Sequence, residues 1–300
     1  MTTLPYATYD VFTDTRFAGN PLAVVFGADA LSDAQMQTIA REFNLSETVF
    51  VRAPDYAQHA ASVRIFTPTK ELPFAGHPTI GCAIALAERE RAPGAPSDRL
   101  LVLEERIGPV RCGVKLTQNG TSFAEFTAPK LSEPAGEGAT PQAAARALGL
   151  DVGDIGFDAH LPTLFSSGVP FAMIPVASIA ALGRAQLVSH TTSATLGATE
   201  VFVYARAPAD AGHSFRARMF APEIGIVEDP ATGGAAAAFA GVIAQFENLP
   251  DGWHTRPIQQ GVEMGRPSRI GLEVQIESSK LIGARIAGQA VKVSEGVLFC

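Results

Sequence analysis

The sequence predicts an α+β fold of two pseudo-symmetric domains, each built of several strands around one central apolar helix. One observation is an internal repeat, in which Arg-Ile-Phe-Thr-Pro at residues 64–68 returns as Arg-Met-Phe-Ala-Pro at residues 218–222. Another is a strongly apolar helical stretch in each half, with short runs rich in β-branched and aromatic residues on both sides of it. Strands and helices that recur in this order indicate two α+β domains.

The repeat extends beyond these two segments. Glu-Thr-Val-Phe-Val at residues 47–51 matches Thr-Glu-Val-Phe-Val at residues 199–203, and Gly-His-Pro-Thr at residues 76–79 corresponds to Glu-Asp-Pro-Ala-Thr at residues 228–232. The period of about 150 residues is far longer than the roughly 20–50 residues of a solenoid repeat. We therefore expect two domains that face each other across a pseudo-twofold axis, with the active site where they meet. The alternative is a recurrent βα pattern without common ancestry.

The first half alternates strands with two helices. Ser32 and Gln35 have the spacing of a capping box, and the apolar residues behind them follow a helical period. A second, apolar helix follows His77 and Pro78, at residues 80–88. Runs of β-branched and aromatic residues predict strands at residues 6–12, 23–26, 48–52, 62–66, 100–104, 110–115 and 122–126.

The second half repeats this order after a linker at residues 131–141, which is rich in Glu, Pro, Gly and Ala. The predicted elements are a helix at 141–148, strands at 171–175, 201–206 and 215–220, an apolar helix after Pro230, and short strands in 269–299. We assign residues 1–122 and 284–300 to an N-terminal domain and residues 123–283 to a C-terminal domain.

The composition is that of a compact protein with a small acidic excess. Of the 300 residues, 47% are hydrophobic and 18% are charged, and the formal net charge is −7. Nucleic-acid backbones need a basic surface, so we expect no nucleic-acid partner. The longest apolar run, residues 233–244, is shorter than the roughly 20 residues that span a bilayer, and we expect no membrane partner. Three widely spaced cysteines and the absence of a signal-like start predict a cytoplasmic protein.

The two central helices begin in similar ways, with His77 and Asp229 each followed by proline. Proline suits a first helical turn, and aspartate ahead of it is a good N-cap. A helix N-terminus attracts carboxylate or phosphate, so both helix starts are candidate sites for an anion. Glycine lets the backbone approach another molecule, and we give Gly81, Gly233 and Gly234 that role. The alternatives are a structural turn histidine at 77 and a plain helix cap at 229.

Glu47 is the third candidate for chemistry. It lies between an amphipathic helix and an apolar strand, where partial desolvation would raise the pKa of a carboxylic acid toward that of a useful general base. The alternative is an exposed turn residue. The second half has Thr199 at the matching position, so only the first half offers a carboxylate here.

Several other chemistries lack their motifs. The sequence contains no GxxxxGK[ST], GxGxxG, HExxH or GxSxG segment, and its histidines show no metal-ligand spacing. We therefore predict no metal site. Cys82 lies within an apolar helix, where a buried thiol is the simplest interpretation.

Four segments together resemble the PhzF-like family of phenazine-biosynthesis isomerases: Phe-Ala-Gly-Asn-Pro-Leu-Ala-Val-Val at 17–25, Asn-Leu-Ser-Glu-Thr at 44–48, Phe-Ala-Gly-His-Pro-Thr at 74–79 and Glu-Asp-Pro-Ala-Thr-Gly at 228–233. The resemblance covers residues 9–299. It implies the fold of diaminopimelate epimerase, in which two similar domains each wrap a curved mixed sheet around a central helix. It also implies an active site between those domains and a homodimeric assembly.

The resemblance implies a cofactor-independent isomerase that acts on a small anionic metabolite. In the family's characterised member, the glutamate matching Glu47 moves a proton between carbons of trans-2,3-dihydro-3-hydroxyanthranilate, while the residues matching His77 and Asp229 assist. The predicted catalytic residues are therefore Glu47, His77 and Asp229. The predicted substrate-binding residues are Asn20, Ser46, Gly76, Pro78, Thr79, Thr232, Gly233 and Gly234.

Two departures from related patterns affect the substrate and the mechanism. The family often has serine where this chain has Gly234, so a side-chain donor to the substrate carboxylate is missing. Diaminopimelate epimerase uses a thiol at each central helix start, and neither half supplies one. We predict a proton shift carried by one carboxylate. The alternatives are a catalytically silent ligand-binding or interaction protein of the same fold, and a racemase or epimerase that uses Glu47 and Asp229 as opposed acid and base.

Overall fold

The chain divides into two units, one formed by residues 1–129 and 287–300 and the other by residues 130–286. The structure is a computed structural model that describes residues 3–91, 98–117, 121–188 and 192–300. The boundaries lie at 129/130 and 286/287, where the sequence predicted 122/123 and 283/284. The difference at the first boundary arises because the strand at Thr121–Thr127 pairs with Gly108–Lys115, which draws it into the first unit.

The first unit contains two α-helices among its described residues. Its elements are β1 (Thr3–Val11), β2 (Asn20–Phe26), α1 (Asp33–Phe43), β3 (Glu47–Arg52), β4 (Ala61–Phe66), β5 (Glu71–Leu72), α2 (Gly76–Arg89), β6 (Asp98–Glu105), β7 (Gly108–Lys115) and β8 (Thr121–Thr127). The capping box at the start of α1 is confirmed: the Ser32 hydroxyl accepts from the Gln35 amide, and the Gln35 side chain accepts from the Ser32 amide.

The sheet of the first unit is mixed. β1 pairs antiparallel with β2, β2 parallel with β3, β3 antiparallel with β4, β4 parallel with β6, and β6 antiparallel with β7. The other edge of β1 pairs with the end of the chain, from Val11 opposite Ala290 to Thr3 opposite Phe299.

Helix α2 is buried on all sides over residues 76–87. An apolar helix of this kind must be surrounded by protein. Gly81 allows the closest approach, because a Cβ atom there would lie 2.5 Å from Leu22 Cδ2 and 2.8 Å from Val11 Cγ2. The prediction that Gly81 admits a ligand is therefore wrong, since its backbone is packed against β1 and β2.

The second unit contains four α-helices among its described residues. Its elements are β9 (Glu133–Gly136), α3 (Pro141–Leu148), β10 (Thr163–Ser166), β11 (Pro170–Pro175), α4 (Ile179–Arg184), α5 (Thr192–Leu196), β12 (Glu200–Arg206), β13 (Phe215–Ala221), β14 (Ile226–Asp229), α6 (Gly233–Phe246), β15 (Gly252–Thr255), β16 (Ile258–Gln260) and β17 (Ser268–Glu277). The last strand, β18 (Lys280–Phe299), begins here and ends in the first unit.

The second unit repeats the pairing order of the first. β10 pairs antiparallel with β11, β11 parallel with β12, β12 antiparallel with β13, β13 parallel with β16, and β16 antiparallel with β17. Each of these pairs corresponds to one in the first unit. The internal repeat is thus a repeat of topology, and α6 occupies the position of α2 in the chain order.

An arginine–glutamate pair recurs in both units. Arg218 makes a bidentate contact with Glu228 at 2.9 Å and 2.9 Å, and its Nη1 donates to the Ala185 carbonyl at 2.7 Å. Arg64 makes the equivalent bidentate contact with Glu71. These pairs tie β13 to β14 and β4 to β5, which lead into the two central helices.

Two sequence predictions about connecting segments are wrong. The proposed linker at 131–141 contains β9, which pairs with β10 and is part of the second unit. The predicted short strands in 269–299 are two long strands, of 10 and 20 residues. Over the described ranges, no helix combines the length and the apolar character needed to cross a bilayer.

The packing at Gly81 predicts that Gly81→Ala destabilises the protein by about 1–3 kcal/mol, because buried Leu22 and Val11 must shift to admit the methyl group. Gly183→Ala is the matched control, since a Cβ atom at this exposed helical position meets nothing within 4 Å. The control should be neutral or up to about 1 kcal/mol stabilising. Urea denaturation measures both changes, and equal effects at the two sites would contradict this account of the α2 packing.

Candidate active-site residues

Three polar side chains come together at the start of α2 in the first unit. Asn20, the first residue of β2, is fully buried, and its Nδ2 lies 3.2 Å from His77 Nδ1. His77 Nε2 lies 3.4 Å from Glu47 Oε2. Both groups are buried, since Glu47 is 8% exposed and His77 4%. The structure thus places Asn20, His77 and Glu47 in one chain of contacts.

The contact with Asn20 assigns the histidine tautomer. An amide nitrogen can only donate, so His77 Nδ1 accepts and the ring proton of a neutral imidazole lies on Nε2. That proton is on the side of Glu47. Burial lowers the pKa of His77 to about 3, so the imidazole is neutral at pH 7. The pair is therefore a carboxyl group next to a neutral N–H donor.

Glu47 owes its position to the strand that it begins. It is the first residue of β3 and stands opposite Leu22 in the parallel pairing with β2. The carbon skeleton is therefore anchored in the sheet, and the alternative of an exposed turn residue is wrong. Ser46 precedes it in the turn after α1 and is partly exposed.

The other predicted binding residues of this unit lie in the first turn of α2. Gly76 begins the helix, and Gly76, Pro78 and Thr79 are all buried. The N-cap residue, Ala75, supplies no side-chain cap, so no side chain of the cap competes for the first amide groups. The Thr79 hydroxyl lies 2.8 Å from the Ala75 carbonyl and 2.7 Å from Glu105 Oε1.

In the second unit, Asp229 and Thr232 form a hydrogen-bonded turn. The Thr232 hydroxyl donates to Asp229 Oδ2 at 2.5 Å. Asp229 is the last residue of β14, opposite Met219, and α6 begins four residues later at Gly233 with Thr232 as its N-cap. The prediction that Asp229 caps the helix is therefore wrong, because Pro230 lies outside the helix rather than in its first turn.

The start of α6 is formed by small residues. Gly233 is buried, and a Cβ atom on Gly234 would have Phe171 Cζ, at 3.8 Å, as its nearest neighbour. That is an ordinary van der Waals distance, so the space beside Gly234 admits a small side chain. The Ser167 hydroxyl lies 3.4 Å from the Gly234 carbonyl.

Gln260 holds the Asp229 turn and was not found by sequence reasoning. Its side chain is fully buried at the end of β16. Nε2 donates to the Asp229 carbonyl at 2.7 Å and approaches the Thr232 hydroxyl at 3.1 Å, while Oε1 accepts from the Thr232 amide at 3.2 Å. The signal in the sequence was the next residue, Gly261. Its φ is +75°, and a Cβ atom there would lie 2.6 Å from the Pro230 carbonyl oxygen, so this position requires glycine.

The described residues contain no group of three or more histidine, cysteine, aspartate or glutamate side chains arranged to hold a metal ion. The arrangement in the first unit can instead move a proton. A buried carboxyl group, a neutral imidazole and an orienting amide supply one base and two hydrogen-bond donors.

The clamp formed by Gln260 predicts that Gln260→Leu destabilises the protein by about 1–3 kcal/mol, because the Asp229 carbonyl and the Thr232 amide lose their buried partner. Gln259→Leu is the matched control, since its side chain is only partly buried on the opposite face of the same strand. Its effect should stay within about 0.5 kcal/mol. Thermal and urea denaturation provide the measurement, and a neutral Gln260→Leu would show that the clamp contributes nothing to folding.

Comparison with known proteins shows which family this chain resembles over its length. A family profile described as "Phenazine biosynthesis-like protein" matches residues 9–296. An uncharacterized isomerase of Mesorhizobium japonicum is 50% identical over the full length of both chains. The trans-2,3-dihydro-3-hydroxyanthranilate isomerase of Pseudomonas aeruginosa is 35% identical over 97% of this chain and 98% of its own length.

The crystal structure of a PhzF-family phenazine biosynthesis protein from Bacillus anthracis superimposes with a TM-score of 0.87 at 27% identity and covers all of both chains. The predicted α+β fold of the diaminopimelate epimerase type is confirmed. This chain belongs to the phenazine biosynthesis-like (PhzF) family and is an isomerase.

Proposed function

We propose that the enzyme moves a proton within a small unsaturated carboxylate metabolite of the trans-2,3-dihydro-3-hydroxyanthranilate type, with Glu47 as the proton carrier and without a cofactor. One observation carries this proposal: a buried carboxyl group on a rigid strand stands next to a neutral histidine whose ring an asparagine orients. The 35% identity to an isomerase of that name supports the substrate class.

The proton shift needs one group that both removes and returns a proton. In the ionised form, Glu47 takes a proton from a C–H bond next to the unsaturated system, and the electron pair is delocalised into that system. The protonated Glu47 then returns the proton to another carbon on the same face. One C–H bond breaks and one forms, so no oxidant or reductant is needed.

His77 serves this step as a neutral donor. Because its Nε2–H is on the Glu47 side, it can steady the carboxylate or a developing charge on the substrate without giving up its proton. Since burial keeps the pKa of His77 at about 3, protonation of the ring does not contribute to the pH dependence of turnover near neutrality. Asn20 fixes the ring orientation on which this depends.

The family resemblance assigns further roles in the second unit. Asp229 assists tautomerisation, and the amide groups of Gly233 and Gly234 bind the substrate carboxylate. The short hydrogen bond from Thr232 and the clamp of Gln260 would hold the Asp229 carboxylate in one orientation.

The role of Glu47 predicts that Glu47→Gln lowers turnover by at least about 10²–10⁴-fold, because glutamine has the shape of the carboxyl group but cannot accept a proton from carbon. Substrate affinity should change only slightly. Turnover and deuterium incorporation from heavy water are measured with trans-2,3-dihydro-3-hydroxyanthranilate, and affinity by calorimetry. Glu42→Gln, at an exposed position on α1, is the matched control and should behave as wild type.

The same measurements separate the other two functions considered for this chain. Tight binding by the wild type without deuterium exchange would indicate a silent binding protein. Inversion at a stereocentre would indicate a racemase or epimerase that uses opposed acid and base. Full activity of Glu47→Gln would exclude Glu47 as the carrier.

The space beside Gly234 predicts that Gly234→Ser folds normally and lowers the KM for trans-2,3-dihydro-3-hydroxyanthranilate by up to about tenfold, because the new hydroxyl can donate to the substrate carboxylate. Gly234→Ala adds the same Cβ atom without the donor and is the matched control. Steady-state kinetics on the three proteins provide the comparison. Equal KM values for the serine and alanine variants would contradict a carboxylate site at this helix start.

A further inference from the structure

Glu105 is a buried carboxyl group that the proposed proton shift does not use. It is the last residue of β6, its exposure is 6%, and its Oε1 lies 2.7 Å from the Thr79 hydroxyl on α2. Its Oε2 is buried and has no hydrogen-bond partner among the described residues. No Lys, Arg or His among those residues forms an ion pair with it. An ionised carboxylate in this position would be a buried charge without a cationic partner, which is strongly unfavourable.

The hydrogen-bond count at Thr79 also favours the neutral acid. The threonine hydroxyl has one hydrogen and two close acceptor positions, the Ala75 carbonyl at 2.8 Å and Glu105 Oε1 at 2.7 Å. A proton on Oε1 resolves this, because Glu105 then donates to Thr79 and Thr79 donates to Ala75. Each hydroxyl hydrogen has one acceptor, and Oε2 is left as a neutral carbonyl, whose burial costs far less than that of a charge.

We propose that Glu105 is a neutral carboxylic acid at pH 7 and that its hydrogen bond to Thr79 is a positioning device for the first turn of α2, which carries His77. Thr79 lies two residues after His77 in that turn, and its hydroxyl also contacts the N-cap residue Ala75. The chain Glu105–Thr79–Ala75 therefore joins β6 to the start of the helix. Ionisation of Glu105 would remove the donor and place a negative charge beside the same turn.

The surroundings of Glu105 on the packed elements are consistent with this protonation state. Among the described residues, two thiols interact electrostatically with it, Cys82 on α2 and Cys112 on β7. Burial, followed by the nearby Glu105, raises the pKa of both thiols, so neither supplies a charge at neutral pH. Burial raises the pKa of Glu105 to about 8, against a smaller lowering by the Thr79 hydrogen bond.

Glu104, the neighbouring residue on β6, has several hydrogen-bond donors around its carboxylate and serves as an internal control. Glu104 accepts from the amides of Asp55 at 2.7 Å and Tyr56 at 3.0 Å, and it contacts His59 Nδ1 at 2.8 Å. Burial acts to raise its pKa, but these three donors outweigh it, and the pKa of Glu104 is lowered. Adjacent residues of one strand thus face different surroundings. Those of Glu104 stabilise the charged carboxylate, and those of Glu105 stabilise the neutral acid.

A measurement on the unaltered protein tests the protonation state directly. Carbon-13 NMR of protein labelled at glutamate carboxyl groups should show one carboxyl resonance that titrates near pH 8, far from the ordinary value of 4.5. Infrared spectra at pH 6.5 should show a protonated-carboxyl band that is missing in Glu105→Gln and present in Glu104→Gln. If no glutamate carboxyl titrates above pH 7 in the wild type, the proposal is overturned.

Stability as a function of pH gives a second test that needs no substrate. The folded protein retains a proton on Glu105 that the unfolded chain releases near pH 4.5, so the stabilisation is complete below pH 4.5 and is lost as the pH rises toward 8. The unfolding constant of the wild type relative to Glu105→Gln should rise by up to about tenfold per pH unit in this window. A constant ratio would contradict the proposal. The unfolding constant of the wild type relative to Glu104→Gln, which retains Glu105, should stay constant over the same window.

The positioning role of Glu105 is tested by the pH dependence of turnover, and this test rests on the proposed function. The turnover of the wild type should fall as the pH rises through about 8, while Glu105→Gln, which keeps a neutral donor, should lack this alkaline decline. Thr79→Val removes the acceptor and should lower kcat without a matching change in KM. If Glu105→Gln and the wild type share one normalised pH profile, Glu105 does not position α2, whatever the NMR shows. If the wild type itself shows no turnover of trans-2,3-dihydro-3-hydroxyanthranilate, the proposed function is rejected instead.

Discussion

In the first unit, a helix that is buried on all sides carries polar side chains in its first turn, and the surrounding protein must satisfy them. Residues 76–87 of α2 are excluded from water, so His77 and Thr79 must find their partners within the protein. Asn20 on β2 contacts one and Glu105 on β6 contacts the other. Two strands therefore set the rotation of the helix about its axis, and with it the direction of the imidazole toward Glu47.

The second unit meets a similar requirement by a different arrangement. Asp229 lies ahead of α6 rather than inside it, and its orientation comes from the Thr232 hydroxyl, with the turn itself held by Gln260. In the first unit the corresponding polar residue, His77, lies within the helix. Two halves with one pairing order thus differ at the segment that leads into the central helix. One sheet topology can therefore carry different polar groups ahead of its central helix.

Much of this architecture could be predicted from the sequence because it depends on local signals. The repeated segments, the capping box at Ser32 and the apolar helices follow from residue order alone. The position of Thr232 as the N-cap of α6 could not be predicted, because Asp229 and Pro230 have the local sequence pattern of a helix start. Gln260 and Glu105 were missed because their roles depend on contacts with residues about 30 positions away in the chain, and no local pattern distinguishes a buried clamp from a surface polar side chain.

The pairing of β1 with β18 has a consequence for biosynthesis. A ribosome makes the chain from its N-terminus, so one edge of β1 remains without its partner until residues 290–299 have emerged. During that interval the nascent first unit presents an unpaired strand edge, which is a site for association with other chains. Completion of this sheet is therefore a late event, governed by translation of residues 290–299 rather than by local folding of the first hundred residues.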